Sequence, residues 1–256
     1  MTARIAVLDI ERQSGLADGI WELRQNGWLN PGQVFERPRT ICFAWKWLGE
    51  EDVHFAAEWD RGGAKGMVKK AHAVMDEADF IVGWNSKSFD VRHLRTEILI
   101  HELPPPSPHR DIDLMVQAKR QFHFLSNRMS EVAKVLNQEG KAATGGSDLW
   151  RRLRCAKGDD LRAARDTMRE YNMRDVGLTE ELYTLMRPHL TGINLPAYDD
   201  GSDDFGPSCP ACESGNIQYR GYQIASTHRY RRFQCNDCGK WGCDTKSVGK
   251  TAQRPL

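Results

Sequence analysis

Residues 5–11 read IAVLDIE. The run from Ile5 to Leu8 suits the interior of a strand in an α/β protein. Two carboxylates, Asp9 and Glu11, stand where that strand is expected to finish. They are two apart, so on an extended chain both side chains leave the same face. Like charges that close repel, and the placement asks for a compensating partner. Leu8 and Ile10 fall on the opposite face and are expected in the core.

The remainder of the chain sets the frame. Of its 256 residues, 40% are apolar and 28% charged, ordinary for a globular protein with a full core and room for an appendage. No run approaches the ~20 apolar residues of a membrane span. The opening MTAR leads into strand-like sequence without an apolar signal region, so a cytosolic (cytoplasmic) protein is expected. The net charge of +1 hides an imbalance. Residues 209–256 carry 8 Lys and Arg against 3 Asp and Glu, and residues 1–208 carry 28 against 32.

Residues 12–39, with Trp21 and Trp28, read as irregular. TICFAWKWLG (40–49) and EDVHFAAEW (51–59) read as a strand hairpin. Helical spacing covers 64–78, 88–103, 126–136 and 159–186, and short strands are expected at 79–85 and 109–114. Residues 137–147 are a Gly-rich loop. The order predicts an α/β domain with a mixed sheet over residues 1–195. An acidic linker is expected at 196–208, a small module at 209–245 and a tail at 246–256.

More carboxylates fall at element ends. Asp90 follows the strand DFIVGWN, and Asp175 lies one turn from Tyr171 on the long helix. Parallel strands tend to end at a common crevice, so Asp9, Glu11, Asp90 and Asp175 are expected to converge. Four carboxylates at one spot need cations. Magnesium or manganese takes such oxygen ligands, and an ion pair about 4 Å apart can clamp both oxygens of an in-line phosphoryl displacement. Asp111 and Asp113 also follow a strand and are read as caps for the next helix.

The set D-I-E (Asp9, Glu11), N-x-x-x-F-D (Asn85 to Asp90) and Y-x-x-x-D (Tyr171, Asp175) resembles the three motifs of the DEDD 3′–5′ exonucleases of the ribonuclease H-like superfamily. The resemblance covers roughly residues 3–190. Tyr171, with Glu170 rather than His five before Asp175, matches the tyrosine subtype. The resemblance implies a ribonuclease H-like five-stranded mixed sheet flanked by helices, with two magnesium or manganese ions. In it Asp9 bridges both ions, Glu11 and Asp175 complete the first site, and Asp90 helps hold the second. Tyr171 orients the attacking water. Asn85 and Phe89 shape the nucleic-acid site, Phe89 mostly by packing. Attack on the last phosphodiester releases a nucleoside 5′-monophosphate, from DNA sooner than RNA. The implied partners are single-stranded DNA with a free 3′ end and a replication or repair protein. The 66 residues given after Leu190 are too few for a polymerase domain, so a departure from the proofreading enzymes is expected.

The pairs Cys209/Cys212 and Cys235/Cys238 form C-x-x-C motifs separated by 22 residues. Four thiolates in that spacing suit tetrahedral zinc, and the module resembles a zinc ribbon with one structural Zn²⁺. A redox reading lacks the surrounding βαβ pattern. Cys243 is spare, and His228 is expected exposed on the hairpin. Between the pairs, Arg220, Arg229, Arg231 and Arg232 interleave with aromatics, a pattern suited to single-stranded nucleic acid. A protein-docking ribbon competes with it. Lys87, Arg92 and Arg95 are either phosphate contacts or a solvated face. Trp45, Trp47 and Trp84 are candidates for stacking on a terminal base. The alternative to the enzyme is a zinc-ribbon adaptor on a relic nuclease fold.

Overall fold

The computed structural model describes residues 3–18, 30–138, 147–198 and 206–253. Trp21, Trp28, most of the Gly-rich loop and the middle of the acidic linker lie outside the described residues.

The chain opens with β1 (Ile5–Gln13) and then β2 (Leu16–Ala17), which pairs with β3 (Val34–Glu36). The hairpin β4 (Arg39–Trp47) and β5 (His54–Ala57) follows, then α1 (Gly63–Glu77), β6 (Phe80–Gly83), α2 (Asp90–Ile100) and β7 (Arg110–Asp113). Next come α3 (Leu114–Gln121), α4 (Met129–Val135), α5 (Ser147–Cys155) and the long α6 (Gly158–Met186). The small C-terminal sheet is β8 (Ile217–Ala225), β9 (His228–Cys235) and β10 (Trp241–Lys250). Among the described residues, no helix is long and apolar enough to cross a membrane.

The main sheet is mixed and five-stranded, in the order β5-β4-β1-β6-β7, as the α/β reading expects. β1 is central and covered on both faces, which is why Ile5 to Leu8 is a continuous apolar run. Ala6, Leu8 and Ile10 pack with Met67, Val68, Met75, Val91, Leu94 and Ile98, under α1 and α2. The other face meets a second cluster in which Ile41 and Cys42 pack with Leu149, Ala164, Met168 and Tyr171 of α5 and α6. Asp9 and Glu11 project on this second side.

One expectation is corrected here. Asp9 and Glu11 do not terminate their strand, because β1 continues to Gln13. The antiparallel partner β4 keeps pairing as far as Gln13↔Arg39, across a bulge between Glu11 and Arg12. The parallel partner β6 stops pairing at Val7↔Val82. Both carboxylates therefore lie beyond the end of β6 but within β1, where they inherit the rigidity of a paired strand.

The turn after β6 has its own requirements. A Cβ on Gly83 would stand 2.5 Å from the Ser86 Cβ and 3.2 Å from the Leu8 carbonyl, so only glycine permits the approach. Asn85 takes φ 66°, a left-handed conformation Asn tolerates better than most residues. Buried Asp113 accepts from the amides of Asn85 and Lys87 at 3.0 and 3.2 Å. It also accepts from Met115 and Val116 at 3.1 and 3.2 Å, which caps α3 as its spacing predicts.

Contacts divide the chain into two compact units, one of Arg4–Ala118 with Phe124–Glu181, the other built around Leu182–Leu256 with Lys119–His123. Residues 182–195 thus go with the smaller unit, although the sequence reading ends the large domain at 195. Within the small unit the Leu195 amide bonds the Pro210 carbonyl at 2.9 Å, and Lys240 bonds the Leu190 carbonyl. Tyr183 is fully buried there. In the small sheet the Phe233 ring lies against Gly242, where a Cβ would come within 2.4 Å of it. β10 runs to Lys250, into the stretch expected as a tail from 246.

Candidate active site

The central strand and α6 build the site. Along α6, Ala164, Met168, Tyr171, Asn172, Asp175, Val176 and Thr179 are buried at helical spacing, a stripe that faces the sheet. The stripe is apolar at its start and polar where it passes Asp9 and Glu11. Carboxylate oxygens of Asp9, Glu11 and Asp175 come within 4.8 Å of one another. At that separation two full charges repel by roughly 3 kcal/mol at an effective dielectric of about 20. Asp175 is fully buried, which adds a desolvation cost. A packing device would not be made this way. The hard oxygen donors fit a divalent ion such as magnesium or manganese.

Asp90, the fourth expected ligand, is not in this group. It is buried at the start of α2, and its Oδ1 accepts from the Ile10 amide at 3.0 Å. With β6 no longer pairing at this level, Asp90 supplies the acceptor that the β1 backbone needs. Through that bond it holds β1 between Asp9 and Glu11.

Tyr171 is buried, edge-on to Trp150 at 6.4 Å between ring centroids, and its hydroxyl bonds Asp175. Burial, and then the charges of Asp175 and Glu11, hold the phenol far above its ordinary range. Tyr171 is thus a neutral hydrogen-bond donor in the site. The same physics acts on Cys42 of β4, the cross-strand partner of Glu11. Burial, Glu11 and Asp9 push its thiol well up.

Asn172 escaped the sequence reading. It is fully buried, and its Nδ2 donates to Asp9 Oδ2 at 2.8 Å and to the Asp9 carbonyl at 3.2 Å. The available signal was an amide on the buried face of α6, three residues before Asp175. Trp150 also went unread; its Nε1 donates to the Arg12 carbonyl at 3.0 Å.

Other expected residues take different places. Asn85 forms the turn described above, through its backbone. Phe89, read as packing, is 41% exposed and lies edge-on to His93 at 4.6 Å. Trp47 is buried, and Trp45 stacks on Phe43 and His54 at 4.6 and 5.1 Å, so both serve the core. Trp84 donates to the Asn127 carbonyl at 3.1 Å. Lys87, Arg92 and Arg95 are exposed.

The second ligand cluster is in the small unit. The sulfurs of Cys209, Cys212, Cys235 and Cys238 lie within 4.8 Å of one another. Cys209 and Cys238 are 3.6 Å apart, and Cys212 and Cys235 3.7 Å. Tetrahedral zinc with Zn–S near 2.3 Å sets sulfur edges of about 3.8 Å, so the thiols fit that ion. Burial opposes ionisation of Cys235, but the amides of Cys238 and Asp237 outweigh it and bring the thiol down to about 7. Cys243 stands outside the cluster, and His228 is half-buried beside Tyr230.

The ribbon arginines are engaged with rings. Arg231 lies 4.4 Å over Tyr219 and pairs with Asp244 at 2.8 Å. Arg229 lies 4.5 Å over Tyr222, and Arg232 4.7 Å over Trp241. Arg220 bonds Gln218 and Gln234.

No curated protein matches the chain. Among solved structures, the family B DNA polymerase from the hyperthermophilic archaeon Pyrobaculum calidifontis is similar, with a TM-score of 0.49 and 17% identity. The similarity covers 74% of this chain and 26% of the polymerase chain, so this chain spans about a quarter of that relative's length. The RNase_H superfamily matches residues 44–187, from β4 through the end of α6. The matched stretch includes Asp90, Tyr171 and Asp175, while Asp9 and Glu11 lie outside it, on the strand that pairs with β4. The chain belongs to the RNase_H superfamily.

Proposed function

We propose that the protein is a metal-dependent 3′–5′ exonuclease acting on single-stranded DNA and releasing nucleoside 5′-monophosphates. The observation that carries this reading is the convergence of Asp9, Glu11 and Asp175 beside the neutral Tyr171 hydroxyl. Asp9, Glu11 and Asp175 would hold magnesium or manganese, with Asp90 toward a second ion. Bound there, the metal supplies Lewis acidity toward the scissile phosphate and lowers the pKa of the attacking water. The chain's own groups do the remaining work. Asn172 fixes the Asp9 carboxylate, and Asp90 fixes the backbone between Asp9 and Glu11. Tyr171 stays protonated and orients the water by hydrogen bonding. Exposed Phe89 offers a ring for the terminal base.

The four cysteines hold one zinc ion as a structural centre. Arg220, Arg229, Arg231 and Arg232, three of them laid over aromatic rings, give the ribbon sheet a surface for single-stranded nucleic acid.

The test is a cleavage assay with 5′-labelled single-stranded DNA, duplex DNA and RNA in magnesium or manganese. The expected result is a ladder shortening from the 3′ end of single-stranded DNA, abolished by EDTA and by Asp9→Ala. Intact substrate under every condition, with binding still present, would overturn the enzymatic reading and leave an adaptor.

A further inference from the structure

A groove of about 480 Å³ opens beside the acidic site, between the end of β1 and α5. Its lining includes Arg12, Arg151 and Arg154 with Gln13 and Trp150, and no carboxylate among the described residues. The groove is continuous with the site through two contacts. Arg12 follows Glu11 directly, and Trp150 spans the two by bonding the Arg12 carbonyl while packing edge-on to Tyr171.

The arginines are posed for an anion to different degrees. Arg154 is anchored from the protein side: the Ser14 carbonyl accepts from its Nη2, and the Gln13 amide, with its oxygen turned toward the guanidinium, accepts from Nη2 and Nε at 3.0 and 3.1 Å. Its Nη1 faces Glu36 at the long distance of 3.5 Å, and Glu36 already pairs with Arg39 at 2.5 Å. Arg151 is 77% exposed and its partner Asp148 is half exposed. Such a surface pair is worth little and is readily exchanged for a phosphate. Arg12 lies half-buried against His93 at 3.1 Å and the Pro38 carbonyl at 3.2 Å. A half-buried indole among these charges adds a stacking surface.

We infer that this groove carries the phosphodiester backbone of the substrate strand on its way to Asp9, Glu11 and Asp175, with Arg151 and Arg154 as phosphate contacts. The inference rests on the nuclease reading above and adds the path of the strand. It also separates two kinds of arginine. Arg229, Arg231 and Arg232 of the ribbon lie over aromatic rings, whereas Arg151 and Arg154 of the groove face surface carboxylates.

The experiment is fluorescence anisotropy with a labelled oligothymidylate on the full-length chain in calcium, over a range of salt. Arg151→Glu is exposed and compatible with folding; Arg154→Gln is a milder second change. For Arg151→Glu, binding roughly tenfold weaker is expected, with the slope of log K against log salt reduced by roughly one. Arg154→Gln is expected to move both in the same direction. Wild-type affinity and slope in both variants would overturn the groove while 3′–5′ cleavage by the wild-type chain still stood. No binding of the oligonucleotide by the wild-type chain would overturn both readings together.

Discussion

The protein gathers like ligands twice, three carboxylates in the large unit and four thiols in the small one, and the two clusters are supported differently. Two of the carboxylates stand on a central strand and the third on α6, supported by two apolar clusters whose members are almost wholly buried. The thiols are their own core: beside them stand little more than Ala211 and Ile217. Eight of the nine β8 residues are exposed. A fold that buries a full core can tolerate a repulsive site, whereas a three-stranded sheet with almost no core depends on the ion that joins it. On the proposed reading, metal is chemistry in one unit and architecture in the other.

The sharpest way to break this contrast is to remove zinc. Binding free energy for structural zinc sites is on the order of 10 kcal/mol. A thiol-selective chelator, or Cys212→Ser, is expected to abolish amide protection across β8, β9 and β10 while β1, β4 and β6 stay protected. Hydrogen exchange read by mass spectrometry decides it; persistence of the small sheet without metal would refute the contrast.

The next effect is catalytic. Tyr171→Phe removes only a hydroxyl and is expected to lower kcat by roughly 10²-fold, the scale of a positioned proton-handling group. Its melting temperature should change little. Asp9→Asn should lose activity more completely yet melt no lower than the wild type, since it removes one of three mutually repelling charges. A parallel loss of stability and activity in both variants would mean the carboxylates are structural.

The smallest expected effect concerns a carboxylate that is structural by design. Glu97, 3% exposed, takes a bidentate bond from Arg37 at 2.9 and 3.2 Å and another from the Thr40 amide at 3.1 Å. Burial works against its charge, but Arg37 and the Thr40 amide prevail and the pKa is lowered. A lowered folded pKa contributes stability that is present above the ordinary carboxylate range and lost as pH falls through the folded value. Glu97→Gln should therefore cost about 1–2 kcal/mol at neutral pH, and the gap to wild type should close on acidification below about 4.5. Urea melts at several pH values measure it; a gap that widens in acid would contradict the assignment.

Much of this was legible before any coordinates. Continuous apolar residues gave β1, two strand-like runs joined by a short Gly-Glu turn gave the hairpin, and helical spacing gave α1 and nearly all of α6. Paired cysteines at two-residue gaps announced their own cluster. The failures share a cause. α5 is short and Arg-rich, and its burial comes from Leu149 and from Trp150 against Tyr171 rather than from a clear periodic face. Asn172 reads as an ordinary helix residue until it meets Asp9, 163 positions away. Asp90 matched its motif, but its bond to the Ile10 amide depends on where β6 stops, which no local pattern encodes.

The continuation of β1 past Glu11 has a thermal consequence. Two of the three carboxylates ride on a hydrogen-bonded strand at the middle of the sheet, and the third on its longest helix. Such a site has no hinge of its own and no separate melting point. Warming will leave its geometry intact until the sheet opens as a whole, so loss of the catalytic arrangement and global denaturation become a single event.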